Sequence, residues 1–131
     1  MIYHLKIWEL AVSDVITRLM EANLLAVFDE RDPQRRAAAI AETYTEDVEW
    51  VDDDGTAVGR DQLNAKAAEL QEKLAGLHFV KAGPVRQTRG LGFLAWEVRT
   101  PDDVMVASGF DVAEVADERI VRLWTVLNAG E

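Results

Sequence analysis

The sequence contains no cysteine, only two histidines and three prolines, and no long apolar run. Missing thiols exclude disulfide bridges and cysteine nucleophiles, while leaving the compartment open. With only His4 and His78 available, a histidine-rich metal site is not expected, and we expect neither metal nor cofactor. Phosphate loops, nucleophile elbows and zinc spacings are absent as well. No segment approaches the roughly 20 apolar residues of a membrane span, so no membrane partner is expected. The opening twelve residues carry Glu9 and lack a small-residue cleavage site, which argues against a signal peptide. Positive charge is scarce: 14 Lys and Arg stand against 24 Asp and Glu, a net charge of −10. Such a surface repels phosphate backbones, and nucleic acid is excluded as a partner. A cytoplasmic protein is the default expectation.

What is present suits one globular domain. The chain has 131 residues, 49% of them hydrophobic, enough for a sizeable core. Residues 1–12 mix helical and strand periodicity and read as an N-terminal arm, leaving residues 13–131 as the domain. From Ser13 or Asp14 a helix begins, with Val15, Leu19, Ala22, Ala26 and Val27 as its stripe. Ile16, Met20, Leu24 and Phe28 widen that stripe. Asp32-Pro33 then combines an N-cap with a proline at the first helical position, which predicts a second helix. Its apolar face is Ala37, Ile40, Ala41 and Tyr44.

A short strand over residues 48–52 follows, closed by the acidic turn Asp53-Asp54-Gly55. Alternate side chains of a strand share a face, so Val48, Trp50 and Asp52 point together. Residues 56–59 read as a brief extended return. A third helix runs from about residue 60 to 75 on Leu63, Ala67, Leu70 and Leu74, and Gly76 ends it. Four strand candidates remain, at 78–89, 92–99, 104–115 and 120–127, joined by short turns as an antiparallel meander. Gly83-Pro84 inside the first of these predicts a bulge or an edge. Helices segregated from an antiparallel sheet make the fold class α+β, with a strongly curved sheet cupping three helices around a cavity.

Two carboxylates stand out. Asp52 shares its strand face with Trp50, although an acidic turn is also a routine solvated feature. Asp111 interrupts an apolar strand and shares a face with the small residues Ala107, Gly109 and Ala113. A carboxylate in such surroundings must be paired, hydrogen-bonded or protonated. Its structural alternative is an aspartate held by local donors. If both enter one cavity, repulsion and desolvation push their proton affinities apart and make an acid and base pair. Parity places Trp96 on the pocket wall and Trp124 on the opposite, outer face. His78 opens a strand, and a surface or core role is the commoner one for such a residue. Arg60 is expected in an ion pair with nearby carboxylates.

This order of elements, with Tyr44-Thr-Glu-Asp-Val, Val58-Gly-Arg-Asp-Gln-Leu63 and Ser108-Gly-Phe-Asp-Val112, resembles the SnoaL-like group of the nuclear transport factor 2 superfamily. The resemblance covers about residues 14–128. It implies a cone-shaped sheet wrapped on three helices, a pocket at the open end, and a homodimer through the outer sheet face including Trp124. It also implies a polyketide cyclase-like or ketosteroid isomerase-like activity without a cofactor. In ketosteroid isomerase a carboxylate base works beside a second, protonated carboxyl that stabilises an oxyanion. Asp52 matches the first position and Asp111 the second. The tyrosine donor of that site falls close to Leu24, where neither Tyr3 nor Tyr44 lies. The arginine-flanked aspartates of limonene epoxide hydrolase have no counterpart.

The leading expectation is therefore an enzyme or binder for an apolar, cyclic or carbonyl-bearing ligand. Asp52 and Asp111 are the candidate catalytic residues, with Trp50, Trp96, Met20, Leu24, Phe28, Ala113 and Thr125 lining the pocket. A non-catalytic ligand-binding or dimerisation module and an aspartate-assisted hydrolase are the alternatives. Fold membership alone does not choose among them.

Overall fold

The structure, a computed structural model, describes residues 15–128; the arm proposed for residues 1–12 lies outside them. Helix α1 spans residues 15–28 and changes character midway. Residues 15–21 are α-helical, whereas Ala22–Phe28 winds with the wider i→i+5 pattern of a π-helix. The Asp29 N–H closes that stretch on the Leu24 carbonyl at 3.0 Å. Helix α2, Pro33–Thr43, starts on its predicted cap: the Asp32 carboxylate accepts from the Gln34 and Arg35 N–H groups. Those donors, with Arg35 nearby, hold the Asp32 carboxyl below its ordinary value. Helix α3 is Gly59–Lys73, and Gly76 beyond it takes the left-handed conformation with φ 82°.

Among the described residues seven strands form one sheet: β1 Tyr44–Asp52, β2 Gly55–Val58, β3 His78–Lys81, β4 Arg86–Thr88, β5 Leu91–Arg99, β6 Met105–Ala116 and β7 Arg119–Leu127. Their order is β2-β1-β7-β6-β5-β3, with β4 also on β5. The predicted strand at 78–89 is thus two strands, parted at Gly83-Pro84, where Gly83 has φ 127°. Strands β5 to β7 are the expected antiparallel meander, but β1 joins β7 in parallel. Tyr44 belongs to β1 rather than to the face of α2. Proximity of the N-terminal half to β7, which hydrophobic periodicity cannot report, pulls it into the sheet.

A polar cluster locks the three helices. Gln71 of α3 donates its amide hydrogens to the Val27, Phe28 and Glu30 carbonyls at 3.2, 3.0 and 2.8 Å. It thereby satisfies carbonyls that the end of α1 leaves without helical partners. The Gln71 amide oxygen accepts from buried Arg36 at 2.8 Å, and Arg36 also reaches Asn64 at 2.8 Å. Arg60, expected in an ion pair, instead donates to the Tyr44 and Ala41 carbonyls. It caps the end of α2 and clamps the start of β1.

Candidate active site

Between the helices and the concave side of the sheet lies an apolar cavity of about 420 Å³. Trp50, Trp96, Leu24, Phe28 and Thr125 line it, together with both Asp52 and Asp111. The rings stand edge to face: Phe28 on Trp50 with centroids 4.8 Å apart, Phe79 on Trp96 at 5.4 Å. Met20 and Ala113, expected on this wall, are not among its lining residues and are fully buried in the core. Their inward direction is as expected from periodicity; their depth is not. Ala113 pairs with Gly92 and Leu123, and a Cβ built on Gly92 would lie 2.8 Å from the Met20 Cγ. Helix and sheet approach too closely there to leave a hollow. His78 does not line the cavity either.

Strand register explains how the two aspartates come to share it. Asp111 pairs with Thr125 across β6 and β7. The parallel match of Val51 with Trp124 carries Asp52 alongside that same Thr125. Asp52, Thr125 and Asp111 therefore occupy one row over three neighbouring strands, with outer backbones about 10 Å apart.

Asp111 is the chemical centre of this row. It is 3% exposed and accepts three hydrogen bonds. Thr125 Oγ1 donates to Oδ1 at 2.9 Å, Trp96 Nε1 to Oδ1 at 3.2 Å, and Asn23 Nδ2 to Oδ2 at 2.9 Å. Thr125 Oγ1 also accepts from Trp50 Nε1 at 3.0 Å, and its one proton goes to Asp111, since an ionised carboxylate only accepts. Behind Asn23, the Tyr44 hydroxyl donates to Oδ1 at 2.5 Å. Burial pushes the Asp111 carboxyl up to about 6, and the donors from Thr125, Trp96 and Asn23 pull against it. A carboxylate offers about four acceptor positions, so one remains open after these three.

Asp52 has a different setting. Its Oδ1 accepts from Lys66 Nζ at 2.6 Å and from the Asp54 N–H at 2.9 Å. The Lys66 ammonium also lies 4.6 Å from the centre of a Trp50 ring. Asp52 is thus both the pin of the acidic turn and a wall of the cavity, beside exposed Asp53 and Asp54. Sequence reasoning missed Asn23, Tyr44 and Lys66 as members of the site. For Asn23 the signal was present: it stands four residues after Leu19 and four before Val27, a polar side chain on the apolar stripe.

A curved, unclosed sheet wrapped on three helices around such a cavity defines the class of nuclear transport factor 2-like and cystatin-like folds. Within it, this chain belongs to the SnoaL-like family, since the SnoaL-like domain profile matches residues 22–123. A SnoaL-like family protein of Agrobacterium tumefaciens strain C58, provisionally named an isomerase, superposes with a TM-score of 0.81 at 25% identity. That match covers 88% of this chain and 99% of the other. A protein of Jannaschia sp. CCS1, provisionally named a SnoaL-like polyketide cyclase, gives a TM-score of 0.66 at 17% identity, covering 86% and 88%. Another provisional polyketide cyclase, from Sinorhizobium meliloti, gives 0.62 at 15% identity over 86% and 93%. No protein of curated function matches the sequence. Among the described residues no helix is long and apolar enough to cross a membrane.

Proposed function

We propose that this chain is a cofactor-independent enzyme that removes a proton beside a carbonyl of an apolar cyclic small molecule. The carrying observation is Asp111: a buried carboxylate in an apolar cavity, with three donors fixed on it and one acceptor position left. A general base works best when its proton affinity lies near the working pH, and a value of about 6 meets that condition. The Asp111 carboxylate takes the proton, the C–H bond breaks, and its electron pair moves to the carbonyl oxygen as an enolate. Returning the proton to another carbon gives isomerisation; attack of the enolate carbon on a second carbonyl closes a ring, and the resulting alkoxide takes the proton back from Asp111.

This reading exchanges the roles that the resemblance to ketosteroid isomerase implied. An oxyanion donor at Asp111 would need a proton on a carboxyl toward which three donors already point. Asp52, tied to Lys66, serves instead to hold the polar end of the ligand. The aspartate-assisted hydrolase reading loses support because, among the described residues, no arginine lines the cavity, and Asn23 is engaged at both ends.

The test is solvent-deuterium exchange into 2-tetralone, a neutral bicyclic ketone, followed by mass spectrometry. The protein should accelerate exchange, with a rate that rises through about pH 6 and then levels as Asp111 ionises. Asp52→Asn should cost about tenfold or less, well below the loss at Asp111. A rate falling above pH 6, or a greater loss at Asp52 than at Asp111, would restore the opposite assignment. Ketone that binds without exchanging would leave a ligand-binding protein.

The family resemblance and the convex sheet face also support a homodimer, which we propose as the working assembly. Phe93 and Phe110 stack there with centroids 5.3 Å apart, and Val126 is 40% exposed. Trp124 lies beside them beneath the Arg122 guanidinium. Sedimentation equilibrium should give twice the chain mass for the wild type and one chain mass for Val126→Glu; a monomeric wild type would refute the dimer.

A further inference from the structure

Asn23 and Tyr44 are both fully buried, and neither lines the cavity. A bound ligand therefore does not reach them, and they act on it only through another group. Their side-chain hydrogen bonds run from the Tyr44 hydroxyl to Asn23 and from Asn23 to Asp111. The polarity of this chain of contacts follows from chemistry. An ionised carboxylate only accepts, so the Asn23 amide must turn its nitrogen to Asp111 and its oxygen away. That oxygen then needs a donor in a place closed to water, and the Tyr44 hydroxyl supplies it. Burial, with Asp111 close by, raises the Tyr44 phenol well above its ordinary value, so it keeps its proton.

We infer that Tyr44 and Asn23 form a two-residue relay that positions the Asp111 carboxylate and sets its proton affinity, with Tyr44 acting only through Asn23. The inference rests on the reading of Asp111 as the base. Both ends of the relay are anchored by backbone. Arg60 holds the Tyr44 carbonyl with Nε at 3.1 Å and Nη2 at 2.6 Å. Asn23 sits in the π-helical turn of α1, beside Leu24, and both are buried. Without Tyr44 the buried amide oxygen is left without its donor, and Asp111 alone keeps the amide nitrogen turned toward it. The flipped amide would set a carbonyl oxygen against a carboxylate.

The other groups around Asp111 leave this relay as its adjustable part. From β5 and β7 it meets Trp96 and Thr125, neither of which titrates. The charged side chains on the cavity side are Asp52 with its partner Lys66, and Asp53 and Asp54 at the turn. From α3, Arg60 is spent on the Tyr44 and Ala41 backbone carbonyls.

The experiment is carbon-13 NMR titration of the aspartate carboxyls in the full chain, with Asp111→Asn used to assign the Asp111 signal. Tyr44→Phe and Asn23→Leu should each raise the Asp111 midpoint, the latter by about one pH unit, a tenfold change in proton affinity. Adding Tyr44→Phe to Asn23→Leu should produce no further rise, because the relay has already been cut. If Asn23→Leu fails to fold, Asn23→Ser is expected to act in the same direction. An unmoved midpoint in Tyr44→Phe would overturn the inference. So would a Tyr44→Phe shift that persists undiminished after Asn23 is replaced. The acid limb of 2-tetralone exchange provides a separate reading. Where the carboxyl midpoint moves and the limb does not follow, the relay stands and the assignment of Asp111 as base falls.

Discussion

Asp111→Asn should lower turnover by about 10²- to 10⁴-fold while making the fold more tolerant of neutral pH. The two effects share one cause. In the folded chain the Asp111 carboxyl sits at about 6 against an ordinary value of 3.8. A raised carboxyl means that the native state binds its proton more tightly than the unfolded chain does. Its contribution to stability is therefore complete below about pH 4 and is lost as pH rises through about 6. A difference of about two pH units corresponds to about 3 kcal/mol between those limits. Glu30 and Asp32 are shifted the opposite way, below ordinary values of 4.5 and 3.8; their stabilisation is present above those values and is lost as pH falls, so neither produces a decline with rising pH. Chemical denaturation of the wild type should thus show stability falling between pH 4 and pH 7. In Asp111→Asn that decline should be absent. A parallel decline in both proteins would mean that another group carries the pH dependence. The asparagine leaves one mismatch, amide hydrogens facing the Asn23 amide, which offsets part of the gain.

Gly109→Ala is the second large effect, and it comes from shape alone. Gly109 lies directly across from Trp96 on β5, on the concave face. A Cβ there would stand 2.4 Å from the Val126 carbonyl oxygen and 2.6 Å from the Trp96 ring. One obstacle is backbone and the other is a packed indole, so neither gives way easily. We expect a loss of about 2–3 kcal/mol, the upper part of the usual range for overpacking. The indole must also lift, which opens the 3.2 Å bond from Nε1 to Asp111 and lowers activity beyond the stability effect. Gly92→Ala provides the control. The three atoms nearest its new methyl, Ile16 Cγ2 and Met20 Cγ at 2.8 Å and Met20 Sδ at 2.9 Å, all belong to side chains and none to backbone. Thermal denaturation of the two variants should rank Gly109→Ala well below Gly92→Ala; equal midpoints would show that the indole can move freely.

The cap at Asp32-Pro33, the left-handed Gly76 and the break at Gly83-Pro84 are local devices, and each was legible in the sequence. So was the small-residue face of β6, because strand parity follows from the backbone itself. Parity says which side a residue faces but not how far along the cone it lies, which is why Met20 and Ala113 proved to be core. The parallel pairing of β1 with β7 left no trace in local pattern. With it went the row of Asp52, Thr125 and Asp111, and the partnership of Lys66 with Asp52. Asn23 is the instructive case. Its place on an apolar stripe is visible, but its purpose lies with a residue 88 positions away.

That separation bears on how the site comes into being. Trp96 and Thr125, 15 and 14 positions from Asp111, arrive within the hairpins of β5, β6 and β7. Contacts so close in sequence form early, since little chain entropy is spent in closing them. Asn23 and Trp50 come from the far end of the chain, and Trp50 reaches Thr125 across 75 positions. The carboxylate therefore acquires its donors in two stages, and burial is complete only with the second. A newly made chain carries an ordinary, hydrated aspartate on an open sheet until the N-terminal half docks. Only that last closure completes the burial that raises its carboxyl.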